Sequence, residues 1–226
     1  MKNQIIFNTI QDVKLILSEE FVNLFPSMSK LLNKAYKIEF TLNGNQRFRQ
    51  YIWTNNDGET CGWLCKLEHC IPQGRGIIPE HILLSQTVGG IIDYWVDDAS
   101  KEQGSLIDAN VFTFSLTDST KGVGGLTNGS NEECQSVAID AFDPSLFLTF
   151  ALEANGNTTF YNCQTKEVFV YLHDDYSPFD ITPCKDAHPS CSAIYRYDKV
   201  HIFIDYVETL ADQWLQIIQL KNKSNL

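Results

Sequence analysis

Apolar and polar positions change period several times along the chain, and each change predicts an element. Val13, Leu15, Ile16 and Leu17, then Phe21, Val22, Leu24 and Phe25, recur at mixed helical spacing, so the N-terminal part reads as helical. Pro26 interrupts it, because proline has no N–H and clashes with the preceding turn. Ser27 offers a cap for a second helix whose apolar stripe is Met28, Leu31, Leu32 and Ala35. The period then falls to two: Ile38, Phe40 and Leu42 alternate with Lys37, Glu39 and Thr41, the pattern of a half-buried strand. Asn43-Gly44-Asn45 suits a tight hairpin turn, Phe48 to Trp53 continues as a strand, and Asn55-Asn56-Asp57-Gly58 turns again into Gly62-Trp63-Leu64-Cys65. Three strands in succession predict an antiparallel meander.

Ile71-Pro72-Gln73-Gly74-Arg75-Gly76 breaks the pattern. Pro79 opens a short helix through His81 and Ser85, which Gly89-Gly90 closes. Ile91 to Val96 and Val111 to Phe114 read as strands, and the Gly/Ser/Thr/Asn-rich stretch between Asp118 and Glu133 as a surface loop. Phe147 to Ala151, Thr158 to Tyr161 and Val168 to Tyr171 are three more strands. Asn155-Gly156 joins the first two, a strong hairpin signal, and Gln164-Thr165-Lys166 joins the last two. A long polar loop with Pro178, Pro183 and Pro189 starts at His173. A helix from about Ile204 to Leu220 ends the chain, with Val207, Leu210, Ala211, Trp214, Leu215 and Ile218 on one face. No repeat and no linker divides the sequence. The expectation is one α+β domain over residues 1–226, with 1–36 as an N-terminal helical extension packed on it.

Composition narrows the function classes. The 226 residues are 43% hydrophobic and 20% charged, which supports an ordinary buried core. Seventeen Lys and Arg against 28 Asp and Glu give a net charge of −11. Such a surface repels phosphate backbones, disfavours nucleic acid and attracts basic partners, and it also serves plain solubility. The apolar run at Ile5-Ile6-Phe7 is too short for an export signal, and no stretch is long enough for a membrane helix. Seven cysteines (Cys61, Cys65, Cys70, Cys134, Cys163, Cys184 and Cys191) without such a signal suggest reduced thiols and a cytoplasmic setting.

Motifs for chemistry are incomplete. The glycines around Gly122 and Gly124 lack the Gly-Lys-Ser/Thr of a phosphate loop, no serine sits in a nucleophile elbow, and no motif implies a cofactor. Cys61 and Cys65, with His69 and Cys70, and separately Cys184, His188 and Cys191, have the donor atoms zinc prefers but not the C-x2-C knuckle, so they read first as core or loop thiols. The acidic pairs Asp97-Asp98, Glu132-Glu133 and Asp174-Asp175 read as solvated loops or as a partner-binding patch.

The C-terminal third carries a family likeness. Phe147-Leu148-Thr149-Phe150-Ala151 ahead of Asn155-Gly156-Asn157, then Phe160-Tyr161-Asn162, then Val168 to Asp174, resembles the strand–turn–strand core of the SMI1/KNR4 (SUKH) superfamily. Phe203 to Leu210 is similar to its entry into the closing helix. Ile78-Pro79-Glu80-His81-Ile82-Leu83-Leu84 before Gly89-Gly90 is similar to its central helix. Glu167 and Thr87-Val88 depart from the glycine and asparagine usual there. The resemblance implies an α+β fold with a curved, mainly antiparallel sheet flanked by N-terminal, central and C-terminal helices. It also implies protein binding rather than catalysis. Bacterial members look like immunity proteins that neutralise toxin domains, often nucleases, and eukaryotic members act in cell-wall and signalling regulation. The expectation is an immunity-type protein for a cognate, basic toxin domain, with no nucleic acid or membrane partner. Its contacts are sought among acids and aromatics near the sheet: Asp93, Trp95, Asp97, Asp98, Asp174 and Asp175. Two alternatives stay open. One is a zinc module or metal-dependent enzyme using Cys61, Cys65, Cys184, His188 and Cys191. The other is a regulatory scaffold without a toxin.

Overall fold

The computed structural model describes residues 7–43, 45–68, 71–96, 106, 110–123, 144–173, 180–184 and 193–219. Turn chemistry lays out the sheet. Asn43, at φ 48°, leads from β2 (Tyr36–Leu42) towards β3 (Gln46–Thr54), and Gly58, at φ 84°, leads from β3 to β4 (Thr60–Lys66). The registers set Phe40 opposite Phe48 and Tyr51 opposite Trp63. The Asn155 side chain accepts from the Asn157 N–H at 3.0 Å, and Gly156 takes φ 97°, which closes the hairpin of β8 (Phe147–Glu153) and β9 (Thr158–Asn162). Between these hairpins lie α3 (Pro79–Val88), β5 (Gly90–Trp95), β6 (Asn110–Thr113) and β7 (Thr120–Lys121). After β9 come β10 (Val168–Leu172), β11 (Ile181–Pro183), β12 (Ala193–Tyr197) and α4 (Phe203–Ile217). Gly89, at φ 96°, ends α3, and a Cβ there would lie 2.8 Å from the Lys66 carbonyl oxygen.

All the described strands, with β1 (Phe7–Asp12) first, belong to one sheet, in the order β1-β2-β3-β4-β5-β6-β8-β9-β10-β12-β11, with β7 paired to β8. Each of these pairs is antiparallel. Four helices accompany the sheet among the described residues: α1 (Glu19–Leu24), α2 (Pro26–Lys34), α3 and α4. None is long and apolar enough to cross a membrane. The class is therefore α+β with a mainly antiparallel, helix-flanked sheet.

The N-terminal part differs from the helical expectation. Phe7–Asp12 is β1, paired with β2, and the Val13 N–H donates to the Lys37 carbonyl at 3.1 Å. Helix starts only at Glu19, where the Ser18 hydroxyl accepts from the Phe21 N–H at 3.2 Å. β1 lies ahead of the residues whose spacing reads as helical; of those, Val13 to Leu17 form no regular element and Phe21, Val22 and Leu24 lie in α1. Ser27 is not the cap of α2: Phe25 occupies that position and Pro26 opens the helix. The glycine-rich loop contains the two-residue strand β7, and its residues 124–133 lie outside the described set. The polar segment after His173 contains β11 and β12, two strands that its prolines had masked.

Two apolar layers hold the sheet. On the helix side Trp53, Trp63 and Trp214 are fully buried, with ring centroids 5.0 to 5.6 Å apart. Phe150, Phe203 and Tyr206 continue that layer. Phe147, Phe160, Phe169 and Ile194 form a separate cluster with Val123 and Cys184. Aromatic pairs at these distances add stabilisation beyond their buried area.

Candidate functional site

Most buried polar groups in the fold are matched by hydrogen bonds. The Glu39 carboxylate accepts from Arg49 Nε at 2.9 Å and Nη2 at 2.6 Å, and Arg49 Nη1 donates to the Thr87 carbonyl at 2.6 Å. Glu68 accepts from the hydroxyls of Ser115 (2.7 Å) and Ser85 (3.2 Å) and from the Thr117 N–H at 3.0 Å. Burial opposes ionisation of Glu68, but hydrogen bonds from Thr117 and Ser115 outweigh it and hold the carboxyl below its usual range. Both networks are satisfied internally and fasten strands and loops.

Glu80 is different. It lies in the first turn of α3, where the helix dipole favours a carboxylate. Its Oε1 pairs with Lys166 Nζ, while its Oε2 is buried with no hydrogen-bond partner among the described residues. Lys166 takes φ 65°, unusual for a side-chain-bearing residue. Its N–H donates to the Asn162 carbonyl at 2.8 Å, and its own carbonyl accepts from the Phe203 N–H at 3.2 Å. The cation is thus placed by a turn locked from both sides.

Glu80 also lines a cleft of about 420 Å³ between α1 and α3, together with Glu20, Asn23, Leu24, Pro79 and Leu83. Phe21 is fully buried and pins α1, so neighbouring positions of that helix line the cleft. Two carboxylates, an amide and three apolar side chains suit a basic side chain. An alkyl stem of that kind has Leu24, Leu83 and Pro79 to pack on and carboxylates at Glu20 and Glu80 for its head.

The residues expected from sequence fall elsewhere. Asp93 and Trp95 are alternate residues of β5, opposite Leu64 and Gly62. Asp93 is exposed and its carboxylate accepts from the Tyr94 N–H at 2.8 Å. The Trp95 ring covers Gly62, where a Cβ would come within 2.2 Å of it, so part of its role is to roof that strand. Neither residue lines the cleft. Asp97, Asp98, Asp174 and Asp175 lie outside the described residues, as do His188 and Cys191. Cys61 and Cys65 both belong to the helix-side core, and burial pushes the Cys61 thiol up to about 11 and the Cys65 thiol higher still. Cys184 belongs to the other cluster, so the structure does not bring it to Cys61 and Cys65. Among the described residues no three His, Cys, Asp or Glu side chains converge on a metal position. Sequence reasoning missed Glu20 and Glu80 as partners. The one signal available was Glu80 within Ile78-Pro79-Glu80, a helix start, and nothing in the sequence linked it to Glu20. No protein-family model matches the chain, and no curated protein and no solved structure does either.

Proposed function

We propose that this chain is a protein-binding module of the SMI1/KNR4 (SUKH) kind, an immunity-type protein that neutralises a cognate toxin domain with a basic surface. The observation that carries the proposal is the acidic cleft between α1 and α3, lined by Glu20 and Glu80 with Asn23, Leu24, Pro79 and Leu83. A lysine or arginine of the toxin fits between the Glu20 and Glu80 side chains that line the cleft, and a charge-assisted hydrogen bond there is worth about 1.5–3 kcal/mol. The net charge of −11 supports the same reading, since it draws a phosphate-binding, basic domain into encounter. The antiparallel, helix-flanked sheet is consistent with the fold that the family likeness implies.

The test is co-expression with the product of the neighbouring gene, followed by calorimetry of the two purified proteins. Protection of the host and a tight complex are expected. Glu80→Gln and Glu20→Gln together should weaken the complex by at least about tenfold, or 1.4 kcal/mol. A harmless neighbour with no partner retained from the native cell would sink the proposal. An unchanged affinity in the double variant would remove the cleft from it.

A further inference from the structure

The two ends of the sheet are built differently. One ends on β11, three residues long and closing on Pro183. A strand that short, with a proline that has no N–H, is a poor template for further pairing. The other ends on β1, six residues long, all exposed and without proline. Phe7 is 57% and Ile10 66% exposed, large values for such side chains. From Phe7 to Gln11 there is no charged residue, in a chain whose net charge is −11.

A register shift between Phe7 and Thr9 sets Phe7 opposite Leu42 and Ile10 opposite Phe40, so both side chains join one face of the sheet. There the Phe7 ring lies 5.6 Å from Phe40, which stacks on Phe48 at 5.6 Å. This aromatic row runs to the sheet edge and stops at its most exposed member.

We infer that β1 is a self-association edge, on which a second copy of this chain adds its own β1 in antiparallel pairing about a two-fold axis. Three observations select this occupant. Antiparallel pairing of identical strands is self-complementary, and it brings Phe7 and Ile10 of each copy together on one face. The uncharged stretch is where two strongly negative molecules approach with least repulsion, whereas it gives a basic partner nothing to grip. The blunted β11 edge stops growth at the dimer, because of the two end strands of the described sheet only β1 is long and free of proline. The inference is independent of the toxin-binding proposal, which uses the cleft.

Sedimentation velocity on the full chain, from about 5 to 200 µM, tests it over the range expected of a small interface. A concentration-dependent shift to twice the monomer mass is expected. It should strengthen as salt rises, because screening removes the repulsion between copies. Toxin binding through the cleft should weaken under the same change. Ile10→Lys should weaken self-association by about tenfold or more, as charged residues on edge strands do. Ile16→Lys, exposed but off the strand, should leave it unchanged. Asn8→Lys is the second probe should Ile10→Lys disturb the circular dichroism spectrum. A monomer at every concentration, or a lysine at position 10 that dimerises like the parent, overturns the inference.

Discussion

His81 shows how far a single side chain is determined by its surroundings. It is fully buried, its Nε2 lies 3.0 Å from the Phe114 carbonyl, and its Nδ1 lies 3.1 Å from the Tyr161 hydroxyl. A carbonyl only accepts, so Nε2 carries the proton and Nδ1 accepts from Tyr161. The Tyr161 oxygen in turn accepts from the Ile78 N–H at 3.3 Å. A second proton on the ring would break this chain and place a charge in the core. Burial accordingly pushes His81 down to about 4, only partly opposed by the Phe114 carbonyl. Its unfolded value is near 6.5. On acidification the unfolded chain therefore binds the proton first. The contribution of His81 is complete above about pH 6.5 and is lost as pH falls towards 4, by an amount on the order of 3 kcal/mol. Urea midpoints between pH 7.5 and 5 should fall for the parent and fall less for His81→Gln. Equal slopes in the two proteins would rule this assignment out.

A helix end carries the element-scale prediction. The first N–H groups of α2 have no partner within the helix, and two of them, on Ser27 and Met28, donate to the Glu208 carboxylate at 2.7 and 3.1 Å. Glu208 belongs to α4, so the cap also ties the two helices together. Glu208→Ala should cost about 1–2 kcal/mol, in the range of a lost cap. Ser27→Ala should stay within about 0.5 kcal/mol, since only the backbone of Ser27 is used. Denaturant midpoints that reversed this order would return the cap to Ser27. Asn155-Gly156 and the alternation from Ile38 to Leu42 specify local geometry, and the structure contains both the hairpin and the strand. The stripe from Val207 to Trp214 likewise specified a buried face. Glu208 as a cap, β1 as a strand and the cleft that Glu20 and Glu80 both line depend on partners roughly 25 to 180 residues away along the chain. Local patterns carry no information about such partners.

At the scale of the molecule, α4 closes a meander made of neighbouring strands. Trp214 meets Trp53 of β3 and Trp63 of β4, and α4 lies beside α2, so the last described helix joins the N-terminal half. Trp214→Ala should cost about 3–5 kcal/mol, as a large cavity does. Trp214→Phe should cost much less, because it keeps a ring and removes an indole N–H that has no partner among the described residues. Thermal unfolding resolves the two, and a Phe variant as unstable as the Ala variant would show that the indole contributes more than its ring. Charge is the other molecular property, and it separates the two surfaces proposed above. If the net −11 serves encounter with a basic toxin domain, the association rate should fall by about tenfold or more between low and physiological salt, while dissociation changes little. Glu80→Gln should do the reverse. It removes one unit from a field set by many charges, so association barely changes, but it takes away a carboxylate that lines the cleft and dissociation quickens. Stopped-flow measurements on the complex separate the two effects. An association rate insensitive to salt would leave the acidic surface with solubility as its role, and the cleft would then have to hold the partner by contact alone.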